Sequence, residues 1–447
     1  MKTLIRNAEI VNEGEIFKGD VLIANERIEK ISAEPISAEE NYFVVDALGK
    51  YLLPGVIDDQ VHFRDPGLTH KGSVYTESRA AVAGGVTSFM EMPNTIPQTL
   101  TQDLLEQKFK NAAENSLANF SFYMGASNDN LQEILKTDIT KVCGVKVFLG
   151  ASTGNMLVDN PQTLDKIFSS CKSLIAIHSE DESLIQSNFK HYHEKYGDDI
   201  PIKYHPEIRS EEACFQSTKR AVALAEKHNT RLHVLHLSTA RELELFSNDI
   251  PLREKRITGE VCVHHLWFSD TDYEKYGTRI KWNPAIKKAS DRDALFDGLM
   301  KGKLDVVATD HAPHTIEEKD NPYVKAPSGG PLVQHSLVAM CDLAKQKGLP
   351  LTFVAEKMAH SVADLFRIVD RGYIKEGFYA DLVLIDPETP WTVSSDNIRY
   401  KCGWSPFEGQ TFSHKVEMTF VNGTLVYHNG SLNEGINGKR LEFDPEI

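Results

Sequence analysis

Side chains that could bind a metal ion stand at the ends of several short apolar runs in the sequence. His62, His178 and His236 each close such a run, and Asp310 closes another. A single histidine in this place is usually a hydrogen-bonded core residue, but four candidate ligands in equivalent places indicate a common site. Imidazole and carboxylate groups without thiolates are the ligands that zinc, or a similar divalent ion, takes in hydrolytic sites. The pattern therefore predicts a metal-dependent hydrolase.

A cationic residue that could bind an anionic substrate lies two positions after the first of these histidines. Side chains alternate along a strand, so Gln60, His62 and Arg64 share one face. The planar guanidinium of Arg64 can hold a carboxylate through two parallel hydrogen bonds. The neighbouring Asp65 offers a plainer interpretation, a surface ion pair that contributes little to stability.

The elements that must position these residues are buried strands that alternate with helix-length stretches. A helix over residues 211–227, for example, follows Ser210, which can cap its first turn. This alternation predicts an α/β fold with a parallel sheet, and eight units predict a closed (β/α)8 barrel of the TIM type. The active site of such a barrel lies at the carboxyl ends of its strands. The eight predicted strands are 56–62, 86–92, 120–125, 142–149, 174–178, 232–236, 257–263 and 306–310.

The two terminal segments differ from the middle of the chain. Both consist of short apolar strands separated by turns that contain Gly, Asn or Asp. We expect residues 1–53 and 366–447 to pair as one small β-sandwich domain and residues 54–365 to form the barrel.

Composition places the chain among globular proteins and excludes several classes of partner. Of its 447 residues 41% are hydrophobic and 25% charged, and the net charge of −15 comes without any Lys/Arg tract. Nucleic acids and anionic membranes are therefore poor partners. We expect no membrane span, because no apolar run reaches about 18 residues. We expect no signal peptide, because charged residues interrupt the first six positions. The six cysteines are scattered without a Cys-x-x-Cys pair, which indicates reduced thiols in a cytoplasmic protein.

The motifs resemble those of the amidohydrolase superfamily and, within it, the class I dihydroorotases. The resemblance extends over almost the whole chain. The matching segments are 54–58, 64–67, 83–87, 92–95, 236–239, 264–266, 283–284, 308–314 and 377–383.

The resemblance implies a zinc centre with one or two ions per chain. Lys146 stands where some relatives carry a carboxylated lysine that bridges two metals. This chemistry is reasonable because burial depresses the pKa of a lysine and its neutral amine can take up CO2. Other class I relatives use an aspartate as the bridge, for which Asp159 is the alternative here. The implied ligands are His62, Lys146, His178, His236 and Asp310.

One position departs from the family pattern. Gln60 stands where the first histidine of the family's His-x-His motif is expected. A neutral amide oxygen is a far poorer zinc ligand than an imidazole. We therefore expect the metal position shared by His62 and Asp310 to be the weaker one.

The activity implied by the resemblance is the reversible interconversion of N-carbamoyl-L-aspartate and L-dihydroorotate in pyrimidine biosynthesis. In it a zinc-bound hydroxide attacks the ring amide and Asp310, the catalytic residue, carries the proton. Two alternatives stay open: a hydantoinase, dihydropyrimidinase or allantoinase, and a homologue that lost catalysis together with the histidine replaced by Gln60. A homodimer is also left open. The substrate-binding residues implied are Arg64, Asn94, Asn283, His314 and Gly329.

Overall fold

The computed structural model describes residues 2–150, 155–435 and 438–445. The strands are β1 (Lys2–Asn12), β2 (Glu15–Ala24), β3 (Arg27–Ser32), β4 (Tyr42–Asp46), β5 (Tyr51–Pro54), β6 (Val56–Val61), β7 (Val86–Glu91), β8 (Asn119–Phe122), β9 (Met124–Gly125), β10 (Val145–Phe148), β11 (Ile175–His178), β12 (Leu232–Val234), β13 (Ile257–Cys262), β14 (Val306–Ala308), β15 (Leu382–Asp386), β16 (Trp391–Thr392), β17 (Thr411–Phe412), β18 (Lys415–Val421), β19 (Thr424–His428) and β20 (Ser431–Leu432).

The α-helices are α1 (Val74–Ala83), α2 (Gln102–Asn115), α3 (Leu131–Ile134), α4 (Pro161–Ser170), α5 (Glu182–Tyr196), α6 (His205–Ile208), α7 (Glu211–His228), α8 (Val263–Trp267), α9 (Tyr273–Tyr276), α10 (Ala289–Met300), α11 (Ile316–Lys319), α12 (Ser336–Gln346), α13 (Leu351–Ala355) and α14 (Ser361–Phe366). Short 3-10 helices cover Ile202–Tyr204, Arg241–Leu245, Leu252–Glu254, Asp270–Asp272 and Gly277–Ile280, and one π-helical turn covers Glu356–His360.

Parallel strands form the predicted barrel. Strands β6, β7 and β8 form one parallel sheet, and β9 to β14 form a second in chain order. Strands β8 and β9 are separated only by Tyr123, so they act as one barrel strand. The ring closes between β14 and β6 through a parallel bridge from Val61 to His311 and a hydrogen bond of 2.7 Å from the His62 amide to the His311 carbonyl. The fold-class prediction is confirmed.

Each of the eight predicted strands overlaps an observed one, and all but the third, which β8 and β9 form together, are shorter than predicted. The sixth ends at Val234 rather than at residue 236, and the eighth ends at Ala308 rather than at residue 310. The polar residues at these ends therefore lie on the first loop residues, beyond the hydrogen-bonded ladder. The helix predicted over 211–227 is α7, and the Ser210 side chain accepts a hydrogen bond from the Ala213 amide.

The terminal segments pair with each other outside the barrel. Their sheet has nine strands in the order β20, β19, β18, β15, β5, β1, β2 and β3, with β4 added beside β1. The joint between the two segments is the antiparallel pair of β5 and β15, from Leu382 opposite Pro54 to Ile385 opposite Tyr51. The exact division of the chain at residues 54 and 365 stays a prediction.

Two further expectations concern the environment of the chain. No helix in the described ranges is long and apolar enough to cross a membrane. The six cysteines all lie within the described residues, and each is a free thiol.

Candidate functional site

The first strand and the eighth bring three predicted side chains together. His62 Nε2 lies 3.1 Å from Asp310 Oδ1, and the Gln60 amide donates to the same oxygen at 3.1 Å. All three residues are buried, and burial lowers the pKa of His62 although Asp310 opposes this effect. Gln60 stands where the family pattern expects a further imidazole. Its amide donates a hydrogen bond to Asp310 in place of a metal-binding side chain.

The fifth and sixth strands bring the other two histidines together. His178 Nδ1 lies 3.0 Å from His236 Nε2, close to the roughly 3.3 Å that separates two ligands of a tetrahedral zinc at 2.0–2.1 Å. His178 Nε2 lies 2.8 Å from Glu180, whose carboxylate is also bound by Arg209. Burial raises the pKa of Glu180, but Arg209 and His178 outweigh it and lower that pKa to about 2. The ionised carboxylate fixes the hydrogen on His178 Nε2 and leaves the Nδ1 lone pair facing His236.

Lys146 lies on β10 with its amine in the barrel interior. It is 1% exposed, and its Nζ lies 4.7 Å from the Phe148 ring centre. Burial lowers the pKa of Lys146 to about 7, against the opposing effect of Asp310. A substantial neutral fraction at physiological pH is what carboxylation by CO2 requires. The alternative bridge, Asp159, is exposed and accepts a hydrogen bond of 2.9 Å from Asn128.

Three predicted site residues have left-handed backbone conformations. The φ angles of Arg64, His236 and Asp310 are 69°, 41° and 47°. Side chains other than glycine rarely adopt this region, and such strain concentrates at functional sites where the surrounding structure enforces it. Here the strained residues lie two or three positions beyond the ends of strands, in the loops at the carboxyl end of the barrel.

A cationic pocket lies beside the His62–Asp310 pair. Arg64 Nη2 lies 3.0 Å from His314 Nε2, and Lys71 Nζ lies 3.0 Å from His314 Nδ1 and 2.9 Å from Glu318. Burial and the charge of Arg64 hold the pKa of His314 well below its usual value, so the ring is neutral. Burial lowers the pKa of Arg64 only to about 10, so the guanidinium keeps its charge.

Asn94 and the segment around Gly329 complete the surroundings. Asn94 Oδ1 lies 2.7 Å from His62 Nδ1, which leaves His62 Nε2 for Asp310 or a metal. The Ser328 hydroxyl donates to Asn283 Oδ1 at 2.9 Å, and the Ser328 carbonyl lies 3.0 Å from His314 Nε2. Gly329 has a φ of 120°, and an added Cβ would lie 2.7 Å from both the Cβ and the carbonyl oxygen of Ala312. Only glycine fits there.

Sequence reasoning missed one buried cluster that could also hold a metal. The ligand atoms of Asp59, His233 and Glu260 lie within 4.8 Å of one another. His233 Nε2 lies 3.1 Å from Asp59 Oδ2 and 3.7 Å from Glu260 Oε2, and all three side chains are fully buried. Burial lowers the pKa of His233, but the two carboxylates outweigh it and raise that pKa to about 9. At neutral pH His233 is therefore protonated, and its positive charge lies between the carboxylates of Asp59 and Glu260. Charged residues inside apolar strands, such as Glu260, were the signal available in the sequence.

The remaining histidines near the site have structural contacts. His264 stacks on Trp282, and His265 Nε2 lies 3.1 Å from the Pro284 carbonyl. His311 lies 2.9 Å from Glu77 and accepts a hydrogen bond from the Leu332 amide, so it braces the loop after Asp310.

The donor set at the strand ends fits a divalent metal ion. Within the described residues, His236 Nδ1 is a buried nitrogen without a hydrogen-bond partner, whereas its Nε2 faces the lone pair of His178. His236 Nε2–H can donate to the His178 Nδ1 lone pair when no metal is bound, and a zinc ion could replace this hydrogen between the two nitrogens at nearly the same spacing.

Comparison with known proteins is consistent with this chemistry. Residues 51–426 match the model of the amidohydrolase family. A dihydroorotase from Methanosarcina acetivorans is 32% identical over 466 residues, covering 99% of this chain and 97% of the relative. An allantoinase from Bacillus velezensis is 30% identical over 436 residues, covering 96% of this chain and 94% of the relative. The structure of an L-hydantoinase (dihydropyrimidinase) from Arthrobacter aurescens aligns with a TM-score of 0.89 at 28% identity, covering 96% of this chain and 97% of that one.

Proposed function

Because the chain belongs to the amidohydrolase family and is a cyclic amidohydrolase, we propose that it is a dihydroorotase. It would interconvert N-carbamoyl-L-aspartate and L-dihydroorotate, a reaction that closes or opens one ring amide. The observation that carries this proposal is the cationic pocket beside His62 and Asp310, since dihydroorotate bears a carboxylate that hydantoin and dihydrouracil lack.

Arg64 Nε donates to the Pro313 carbonyl at 3.1 Å, but the hydrogen bonds of His314 leave Arg64 Nη2 without an acceptor there. His314 Nε2 lies 3.0 Å from both the Ser328 carbonyl and Arg64 Nη2. A carbonyl can only accept, so Nε2 carries the hydrogen and Nδ1 accepts from Lys71. The Arg64 N–H then faces another N–H rather than a lone pair. A substrate carboxylate oxygen would supply the missing acceptor to Arg64 with charge-assisted strength, and we propose that Asn94 donates to the same carboxylate.

A divalent ion, which we propose to be zinc, would be held by His178 and His236, with Lys146 as a carboxylated bridge toward His62 and Asp310. When bound, such an ion lowers the pKa of a water molecule and polarises an amide carbonyl. Gln60 makes the position beside His62 the weaker one, so we propose one firmly held ion and a second with lower affinity.

The protein's own groups supply the remaining steps. Asp310 accepts the proton of the attacking water at a carboxylate oxygen and returns it to the ring nitrogen as the C–N bond breaks. Asn283 and the backbone of Ser328 and Gly329 hold the edge of the ring. Arg64, Asn94 and His314 orient the substrate through its carboxylate, so that the ring amide faces Asp310.

The test is turnover by purified protein together with elemental analysis. Native protein should convert dihydroorotate much faster than hydantoin, dihydrouracil or allantoin, and it should contain at least one zinc per chain. Arg64→Ala should lower kcat/KM for dihydroorotate at least 10–150-fold, the equivalent of about 1.5–3 kcal/mol for one charge-assisted hydrogen bond. Arg64→Lys should also be impaired, because a point charge does not replace the fork.

Two results would redirect the proposal. Faster turnover of an uncharged cyclic amide would favour the hydantoinase or allantoinase alternative. No turnover of any of these substrates, even with added zinc and bicarbonate, would favour the non-catalytic homologue that Gln60 suggests.

The free cysteines support a reducing compartment, and we propose the cytoplasm as the location. Light scattering of the purified protein would test whether it forms the homodimer that the sequence leaves open.

A further inference from the structure

Lys319 is a buried lysine whose amine donates hydrogen bonds to backbone carbonyls and lies 6.0 Å from the Trp282 ring centre. It is the last residue of α11 and is 0% exposed. Its amine donates to the carbonyls of Lys281 at 3.2 Å, Pro327 at 2.9 Å and Gly329 at 2.7 Å. An ammonium group has three N–H bonds, and three acceptors match this number.

A second buried lysine holds the preceding part of the same segment. Lys281 Nζ donates to the carbonyls of Tyr323 at 2.7 Å and Ala326 at 2.6 Å. The two amines therefore bind four carbonyls between residues 323 and 329. Burying two amines side by side is costly, because burial lowers the pKa of both and the charge of Lys281 lowers that of Lys319 further. A purely packed loop would be cheaper to build from apolar side chains.

The segment that these lysines hold is the one that faces the candidate substrate. The Gly329 amide donates to the Lys281 carbonyl at 2.8 Å, which ties it back to the same lysine. The Ser328 carbonyl accepts from His314, and the Ser328 hydroxyl donates to Asn283. A shift of this backbone would move the contacts to the ring edge and to the carboxylate pocket together.

We propose that Lys319 is a positioning residue for substrate recognition. It does not contact the substrate and acts by holding the backbone carbonyls of residues 327–329 in place. We call the hydrogen bonds from Lys281 and Lys319 to the carbonyls of residues 323–329 the clasp. The identity of the substrate rests on the proposed function, whereas the clasp does not depend on it. Burial lowers the pKa of Lys319, while three converging carbonyl oxygens favour its charged form.

The test compares Lys319→Met with a matched control in the same segment. Methionine is unbranched and only one heavy atom shorter than lysine, and it removes the donors. Lys325 is exposed and lies in the same segment, so Lys325→Met removes an equal charge without touching the clasp. We expect Lys319→Met to raise KM about tenfold or more, the equivalent of one lost backbone contact to the substrate, with kcat changed less than about threefold. Lys325→Met should match the native protein.

Hydrogen exchange gives a readout that needs no substrate. In Lys319→Met the amides of residues 323–330 should exchange faster, while those of the barrel strands should not change. A KM like that of the native protein, or unchanged exchange in the segment, would overturn the proposal. Faster exchange over the whole chain with a parallel loss of kcat would show a merely structural lysine. If Lys319→Met does not fold, Lys281→Met and Lys319→Arg are judged by the same two readouts. Absence of turnover in the native protein would defeat the proposed function, and the exchange experiment would still decide the clasp.

Discussion

Replacing Gln60 by histidine tests the unequal metal positions most directly. Gln60 is 1% exposed, and its amide donates to Asp310 Oδ1 at 3.1 Å. In Gln60→His an imidazole takes its place beside His62, and the amide hydrogen no longer occupies Asp310. The substitution therefore adds an imidazole ligand to the second metal position. It also frees a lone pair on Asp310 Oδ1, which is another ligand of that position.

The magnitude follows from two opposing contributions. Four ligands of a structural zinc together contribute about 10–16 kcal/mol, so one ligand is worth roughly 2.5–4 kcal/mol, or about 10²–10³-fold in affinity. Losing the hydrogen bond from Gln60 to the charged Asp310 costs about 1.5–3 kcal/mol in the metal-free protein. Gln60→His should thus lower the free energy of unfolding without metal and raise it with saturating zinc.

The assay measures zinc per chain in chelator buffers that set the free zinc concentration, together with thermal unfolding with and without zinc. Gln60→Met is the control, because it loses the same hydrogen bond and adds no zinc ligand of comparable strength. We expect stoichiometry near one in the native protein and the control, and near two in Gln60→His at the same free zinc. Two tightly held ions in the native protein, or one in Gln60→His at every zinc concentration, would refute the reasoning.

Three further predictions concern the surroundings of the same centre. Asp310→Asn should keep part of its zinc, because an amide oxygen can still coordinate. Turnover should fall about 10²–10⁴-fold, because the variant loses a general acid–base group. Full activity would show that Asp310 does not transfer the proton. Arg209→Met should weaken zinc binding about 10–100-fold, because Glu180, the carboxylate that orients His178, loses its partner. Titration with a zinc chelator measures the affinity, and an unchanged value would contradict this prediction. The raised pKa of His233, about 9 against an ordinary 6.5, contributes stability that is fully present below pH 6.5 and is lost as the pH rises through about 9. Chemical denaturation between pH 6.5 and 9 should show a loss on the order of 3 kcal/mol, and the slope should flatten in His233→Gln unless a metal rather than a proton occupies the cluster.

The sequence predicted what depends on short-range pattern. Alternating apolar runs identified eight barrel strands, and the polar residue after each run identified His178 and Asp310, which the structure brings to the same end of the barrel. The residues that brace them were missed, because Arg209 reaches Glu180 from a different part of the chain. That contact depends on how a loop folds back over the barrel mouth, which local periodicity does not encode.

The Asp59–His233–Glu260 cluster was missed for a different reason. Its members lie on the first, sixth and seventh strands, and they meet only because the barrel closes. Strand β6 also carries irregularities in its register, between Val56 and Ile57 and between Asp58 and Val61, so simple alternation does not give the direction of Asp59. Backbone angles such as the φ of 47° at Asp310 are likewise products of the assembled barrel.

The nine-stranded sheet has a consequence for the order in which the chain can fold. Strand β5 pairs with β1 on one side, both within the first 54 residues, but its other side is completed by β15, which begins at Leu382. During synthesis the free edge of β5 must wait for more than 300 further residues to leave the ribosome. An unpaired apolar strand edge can pair with strands of other chains and so lead to aggregation. At about 5–20 residues per second the wait is tens of seconds, a period in which a chaperone that covers β1 to β5 would determine the yield of folded protein.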